Sequence, residues 1–135
     1  QEVIISIPIF LLLIGCGGKY VADKATIMSP NYPQNYEVND TCSYQIEIGE
    51  GHMISLKFED FDLFTPDGVN CGSNNNSFVK VYDGPTIDYP ILAKVCGKDA
   101  PNHTIISTTN KMYVEMVTQT DVVAKGFLAN YKRVS

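Results

Sequence analysis

Apolar and polar side chains alternate with a period of two along most of this chain. Cys42, Tyr44, Ile46 and Ile48 alternate with Ser43, Gln45 and Glu47, the pattern of a strand with one buried face. Beyond Gly49-Glu50-Gly51, Ile54, Leu56 and Phe58 share one face, with Ser55 and Lys57 on the other. Two such runs joined by a glycine turn predict a hairpin. Phe61, Leu63 and Phe64 follow, then Pro66-Asp67-Gly68 and a polar loop at 72–76. Phe78-Val79-Lys80-Val81-Tyr82 reads as a strand, because β-branched and aromatic residues fit a pleated surface. It stops at Asp83-Gly84-Pro85, where glycine permits a tight turn and proline cannot donate to a ladder. The apolar run 91–95 comes next, then Ile105 with Ile106, then Met112, Val114 and Met116 alternating with Tyr113 and Glu115. A last strand carries Phe127, Ala129 and Tyr131. No window after the first 15 residues sustains apolar positions at i, i+3, i+4 and i+7. The expected fold class is therefore all-β, a sandwich or jelly roll of short strands.

The first residues break the alternation. Positions 3–14 are almost continuously apolar, a stretch too short for a bilayer, which takes about 20 residues, so no transmembrane span is expected there. Its length suits the h-region of a signal peptide, with cleavage near Gly15 so that Cys16 is kept. No Met or basic residue precedes the run, as in a leader whose charged start is missing. Leu13-Ile14-Gly15-Cys16 also resembles a bacterial lipobox, and an apolar linker is the third reading. At 135 residues and 44% hydrophobic content the chain makes one folded domain with a short tail. Its net charge of −5 disfavours nucleic acid, heparin-like polyanions and anionic membranes as partners. The ten basic residues are spread along the chain, which leaves room for a local basic patch.

Cys16, Cys42, Cys71 and Cys96 are even in number, widely spaced and without a C-x-x-C pair. Two disulfides fit better than a zinc site, and four cysteines allow three connectivities. Asn39, Asn75 and Asn102 each begin an N-x-S/T tripeptide in a polar stretch, so each is a glycosylation candidate. All of these features, with the leader, point to secretion. Catalytic signatures are missing: His52 and His103 have no nucleophile in a recognisable setting, and no P-loop, G-x-G-x-x-G or H-E-x-x-H occurs. The acidic run around Glu59-Asp60-Phe61-Asp62 reads as a solvated strand end rather than a carboxylate pair. Asp60, Asp62, Asp67 and Asp121 are the candidates for a calcium ion, which takes oxygen ligands.

Cys16-Gly17-Gly18, Ser29-Pro30-Asn31-Tyr32-Pro33 with Tyr36, and Phe58-Glu59-Asp60-Phe61-Asp62-Leu63 occur in order. Val79-Lys80-Val81-Tyr82-Asp83-Gly84-Pro85, Cys96-Gly97 and Gly126-Phe127-Leu128-Ala129-Asn130-Tyr131 continue the series. Together they resemble a CUB domain at residues 16–132, preceded by the leader at 1–15 and followed by a tail at 133–135. The resemblance implies a CUB-type jelly-roll sandwich of two antiparallel sheets with disulfides Cys16–Cys42 and Cys71–Cys96. It also implies a non-catalytic extracellular module that binds a protein or glycan ligand. The alternative is the N-terminal targeting domain of a secreted multidomain protease. Many CUB domains hold calcium through an early tyrosine, a glutamate and two aspartates, where the ion orders loops that receive a lysine of a partner. Phe64 and Ser77 stand at the glutamate and first aspartate positions, and Asp121 is kept, with Asp67 available as a substitute. The expectation is thus no cofactor, with calcium at Asp121 and Asp67 as the exception. Exposed aromatics such as Tyr89 and Tyr113 are the expected contact points.

Overall fold

A computed structural model describes residues 16–37, 41–63, 77–98, 100–119 and 123–135. The described residues hold nine strands in chain order. They are β1 (Gly17–Tyr20), β2 (Lys24–Met28), β3 (Thr41–Glu47), β4 (Met53–Asp62), β5 (Phe78–Tyr82), β6 (Ile91–Val95), β7 (Ile105–Ile106), β8 (Lys111–Val117) and β9 (Gly126–Val134). One sheet has the order β1-β3-β8-β5-β6 and the other β2-β9-β4-β7. The all-β sandwich expected from the alternation is the fold, and the alternation explains it. Tyr44, Ile46, Val79, Val81, Met112, Val114 and Met116 are buried on the inner face of the first sheet. Ile27, Ile54, Leu56, Phe58, Phe61, Phe127, Ala129 and Tyr131 are buried on the inner face of the second. Burying these two apolar faces against each other is the main driving force for folding.

Aromatic rings couple the layers. Tyr44 of β3 packs edge-on to Phe127 of β9, with centroids 5.6 Å apart. Phe127 meets Phe58 at 5.6 Å, and Phe58 meets Phe61 at 5.5 Å. A bulge in β4 between Phe58 and Asp60 keeps both phenylalanines inward, although they are three positions apart.

One expectation needs correction. The runs carrying Ile46 and Leu56 do not form a hairpin: β3 pairs with β1 and β8, whereas β4 pairs with β9 and β7. The turn through Gly51 (φ 89°) carries the chain from one layer to the other. Alternation specifies which face is buried, and two strands can satisfy it across a core as well as side by side. The two sheets are antiparallel as expected except at one edge pair, where β1 runs parallel to β3 with Gly17 beside Ser43. A disulfide between Cys16 and Cys42, with Cα atoms 5.1 Å apart, holds the starts of these two strands together and so favours a common direction. Ser55 faces outward, as its place in the alternation predicts, and is 7% exposed there.

Candidate functional site

One end of the sandwich gathers segments that are far apart in sequence. The chain after β2 turns through Asn31 (φ 67°), a residue type that tolerates the left-handed region. It returns to the body where the Tyr36 N–H donates to the Ala124 carbonyl (3.1 Å). Ser29 is buried, and its Oγ accepts the Phe127 N–H at 3.0 Å. Gly126 (φ 95°) makes this approach possible, since a Cβ there would stand 1.8 Å from Ser29 Oγ. The Thr118 hydroxyl donates to the Glu37 carbonyl at 3.0 Å, and the Leu63 N–H donates to the Gly97 carbonyl at 2.7 Å.

On this frame the Tyr32 hydroxyl donates to Asp60, and Lys125 Nζ lies 2.9 Å from the same carboxylate. The Tyr32 hydrogen bond, and after it Lys125, hold the Asp60 carboxyl below its ordinary range. The hydrogen bond to Asp60 in turn raises the Tyr32 phenol and the Lys125 ammonium above theirs. Asp60 is therefore already neutralised by a cation of the chain itself.

Ser77, at the position where the resemblance expects an aspartate, is fully buried. Its Oγ accepts the Gln119 N–H at 3.1 Å, so a neutral hydroxyl is committed to a backbone bond there. Among the described residues no group of three or more His, Cys, Asp or Glu comes together. The described residues by themselves thus bring together fewer oxygen ligands than a calcium ion takes. Asp67, Asp121 and Phe64 lie outside the described residues, as do Asn39, Asn75 and Cys71.

The other expected residues are dispersed. Cys96 is disulfide-bonded. Asn102 is exposed in a bend before β7. His103 is exposed, and the half-buried His52 sits beside the turn into β4, with its Nδ1 buried and without a hydrogen-bond partner among the described residues. Tyr89 is 45% exposed and lies over Gly84, where a Cβ would fall 2.2 Å from its ring. Tyr113 is less available: its hydroxyl donates to Ser43 Oγ at 2.8 Å, and its ring packs 5.9 Å from Tyr82. The contact of Tyr32, Asp60 and Lys125 is not legible in the sequence. Its one signal there is the aromatic and proline content of 29–36, which marks a loop but not what the loop touches.

Residues 16–131 match the CUB domain family model. Rat cubilin is 33% identical over 118 residues, covering 87% of this chain and 3% of cubilin. Blastula protease 10 of Paracentrotus lividus is 33% identical over 119 residues, covering 88% of this chain and 19% of that protein. The chain therefore spans a small part of these relatives. Among solved structures, the MASP-1 CUB2 domain bound to Ca2+ is similar, with a TM-score of 0.73 and 27% identity over 87% of this chain and 99% of that one.

Proposed function

The chain belongs to the CUB domain family, and from that premise we propose that it is a non-catalytic binding module of an extracellular protein, recognising a protein or glycan ligand. The observation that carries this reading is the family match over residues 16–131, realised as a sandwich whose interior is filled by side chains and whose loops meet at one end. The Cys16–Cys42 disulfide supports an oxidising compartment, and an exposed Asn102 supports glycosylation on the secretory route. Residues 1–15 as a leader, a second bridge from Cys71 to Cys96, and glycans at Asn39 and Asn75 belong to the same reading. The test is expression in secretory cells, followed by binding of the labelled, secreted domain to cell surfaces and matrix. Saturable binding displaced by unlabelled domain is the expected result. Retention of the chain in the cytosol with reduced cysteines, or binding that never saturates, would overturn it.

A second reading has a specific support in the similarity to Blastula protease 10: the module serves as the targeting domain of a secreted protease. The full-length transcript separates the two, since a protease signature in the same reading frame is required by the second. Calcium is a further point of this proposal, supported by the calcium-bound relative and resting on Asp121 and Asp67. Calorimetric titration of the oxidised domain checks it. Heat at sub-millimolar calcium that Asp121→Ala abolishes would establish the ion, and no heat at millimolar calcium would remove it.

A further inference from the structure

The outer face of the four-stranded sheet carries a charge arrangement that the fold itself does not use. The register sets Lys24 of β2 directly beside Lys132 of β9, and Lys132 beside Ser55 of β4. One row further along, Thr26, Asn130 and Lys57 stand side by side across the same strands. These residues line a groove of about 510 Å³, with Glu59 as the one acidic residue of its lining. Like charges directly opposite each other on a sheet are destabilising. Elsewhere such a pair is relieved: Lys80 and Lys94, cross-strand partners on the other sheet, both place their ammonium groups over the Phe78 ring, at 5.1 and 4.9 Å. The described residues offer no such relief to Lys24 and Lys132. Among them, the ion pairs are Lys19–Glu47, Lys125–Asp60 and Arg133–Asp23, and none involves a lysine of the groove.

Neutral hydrogen-bonding groups complete the floor. The Thr26 hydroxyl donates to Asn130 Oδ1 at 2.5 Å, which orients the amide and leaves its NH2 group as a free donor. Ser55 is nearly buried, and its hydroxyl makes no hydrogen bond among the described residues. Cations beside a cluster of hydroxyl and amide groups match a ligand with an anionic group and several hydroxyls. The volume is within the roughly 300–1,000 Å³ of small-molecule sites. The one aromatic residue of the lining, Tyr131, is buried with its hydroxyl donating to the Ala22 carbonyl, so it does not offer the aromatic anchor that dominates peptide recognition. The chain's net charge of −5 opposes an extended polyanion. We infer that this groove binds a single acidic sugar residue, its carboxylate drawn to Lys24, Lys57 and Lys132 and its hydroxyls met by Ser55 and Asn130. Thr104, which also lines the groove, closes the sequon of Asn102, so a glycan there would stand at the rim.

The inference deepens the binding-module reading and rests on it, but the two fail separately. The experiment is an amide-resolved NMR titration of the oxidised domain, carrying Asn102→Gln to keep the rim bare, with methyl glucuronide as probe. Saturable shifts confined to β2, β9 and β4 are expected, with no response to methyl glucoside and weaker binding as salt is raised. Lys24→Gln and Lys132→Gln are each expected to weaken binding about fivefold while the remaining amides keep their positions, and Lys19→Gln is expected to change nothing. An equal response to methyl glucoside, to acetate or to a glutamate peptide would overturn the acidic-sugar assignment, as would shifts elsewhere or none. Saturable matrix binding that methyl glucuronide does not displace would remove this site and leave the module reading intact.

Discussion

Asp60, Tyr32 and Lys125 come from β4, the loop after β2 and the segment before β9, so their contact pins three segments at one end. Its pH dependence follows from the direction of each shift. Asp60 has its folded-state value lowered below 3.8; its contribution is complete above that ordinary value and is lost as pH falls through the folded value. Lys125 is raised above 10.5, so its share is present below that value and is lost as pH rises through the folded one. Asp60→Asn is expected to lower the melting temperature at pH 7 and to flatten the acid limb of the stability curve, read by denaturant melts between about pH 2 and pH 7. An unchanged acid limb would show the contact to be idle. Gly126→Ala tests the same end through the backbone. A Cβ at φ 95° would collide with Ser29 and displace the Phe127 N–H bond to Ser29 Oγ. Left-handed strain of about 1–2 kcal/mol and a lost hydrogen bond of about 1 kcal/mol give an expected loss of roughly 3 kcal/mol, measurable by urea unfolding.

Strand β1 is short, sits at the edge of its sheet and places two glycines at its start. Four residues with little buried side-chain area hold a position poorly by ladder bonds alone. The Cys16–Cys42 disulfide, spanning 26 residues, supplies what the strand lacks. The chain-entropy model gives about 3.5 kcal/mol for a loop of that length. The double variant Cys16→Ser with Cys42→Ser is expected to lose about that much stability. Hydrogen exchange is expected to rise first at the β1 amides, while β8, central in the same sheet, keeps its protection. Uniform exchange across both strands would mean that β1 is held by other contacts. At this scale β3, β8, β5 and β9 are readable in the sequence because each alternates over five or more residues, whereas β1 and β2 are not. Lys24 to Met28 shows only one fully buried residue, Ile27, and a single apolar position sets no period.

For the molecule as a whole, the Tyr44, Phe127 and Phe58 contacts make the two sheets a single cooperative unit. Phe127→Ala is expected to cost about 3–5 kcal/mol. Far- and near-ultraviolet dichroism are expected to follow one coincident transition, because neither sheet keeps a core without the other. Two separate transitions would show that the sheets fold independently. The same scale explains why the groove escapes a reading of the sequence. Lys24, Lys57 and Lys132 are widely separated and can each be assigned to a surface, but their adjacency depends on β9 lying between β2 and β4.

Periodicity and short motifs are local properties of the chain, and they suffice for most of the strands, their buried faces, the all-β class and the family. Which strands become neighbours is settled only in the folded molecule. The parallel β1–β3 pair, the passage from β3 to β4 between layers, the neutralisation of Asp60 by Lys125 and the lysine-lined groove all depend on register and layer order. Those follow from long-range packing of two apolar faces, and an alternation that marks a residue as inward or outward carries no information about what will stand opposite it.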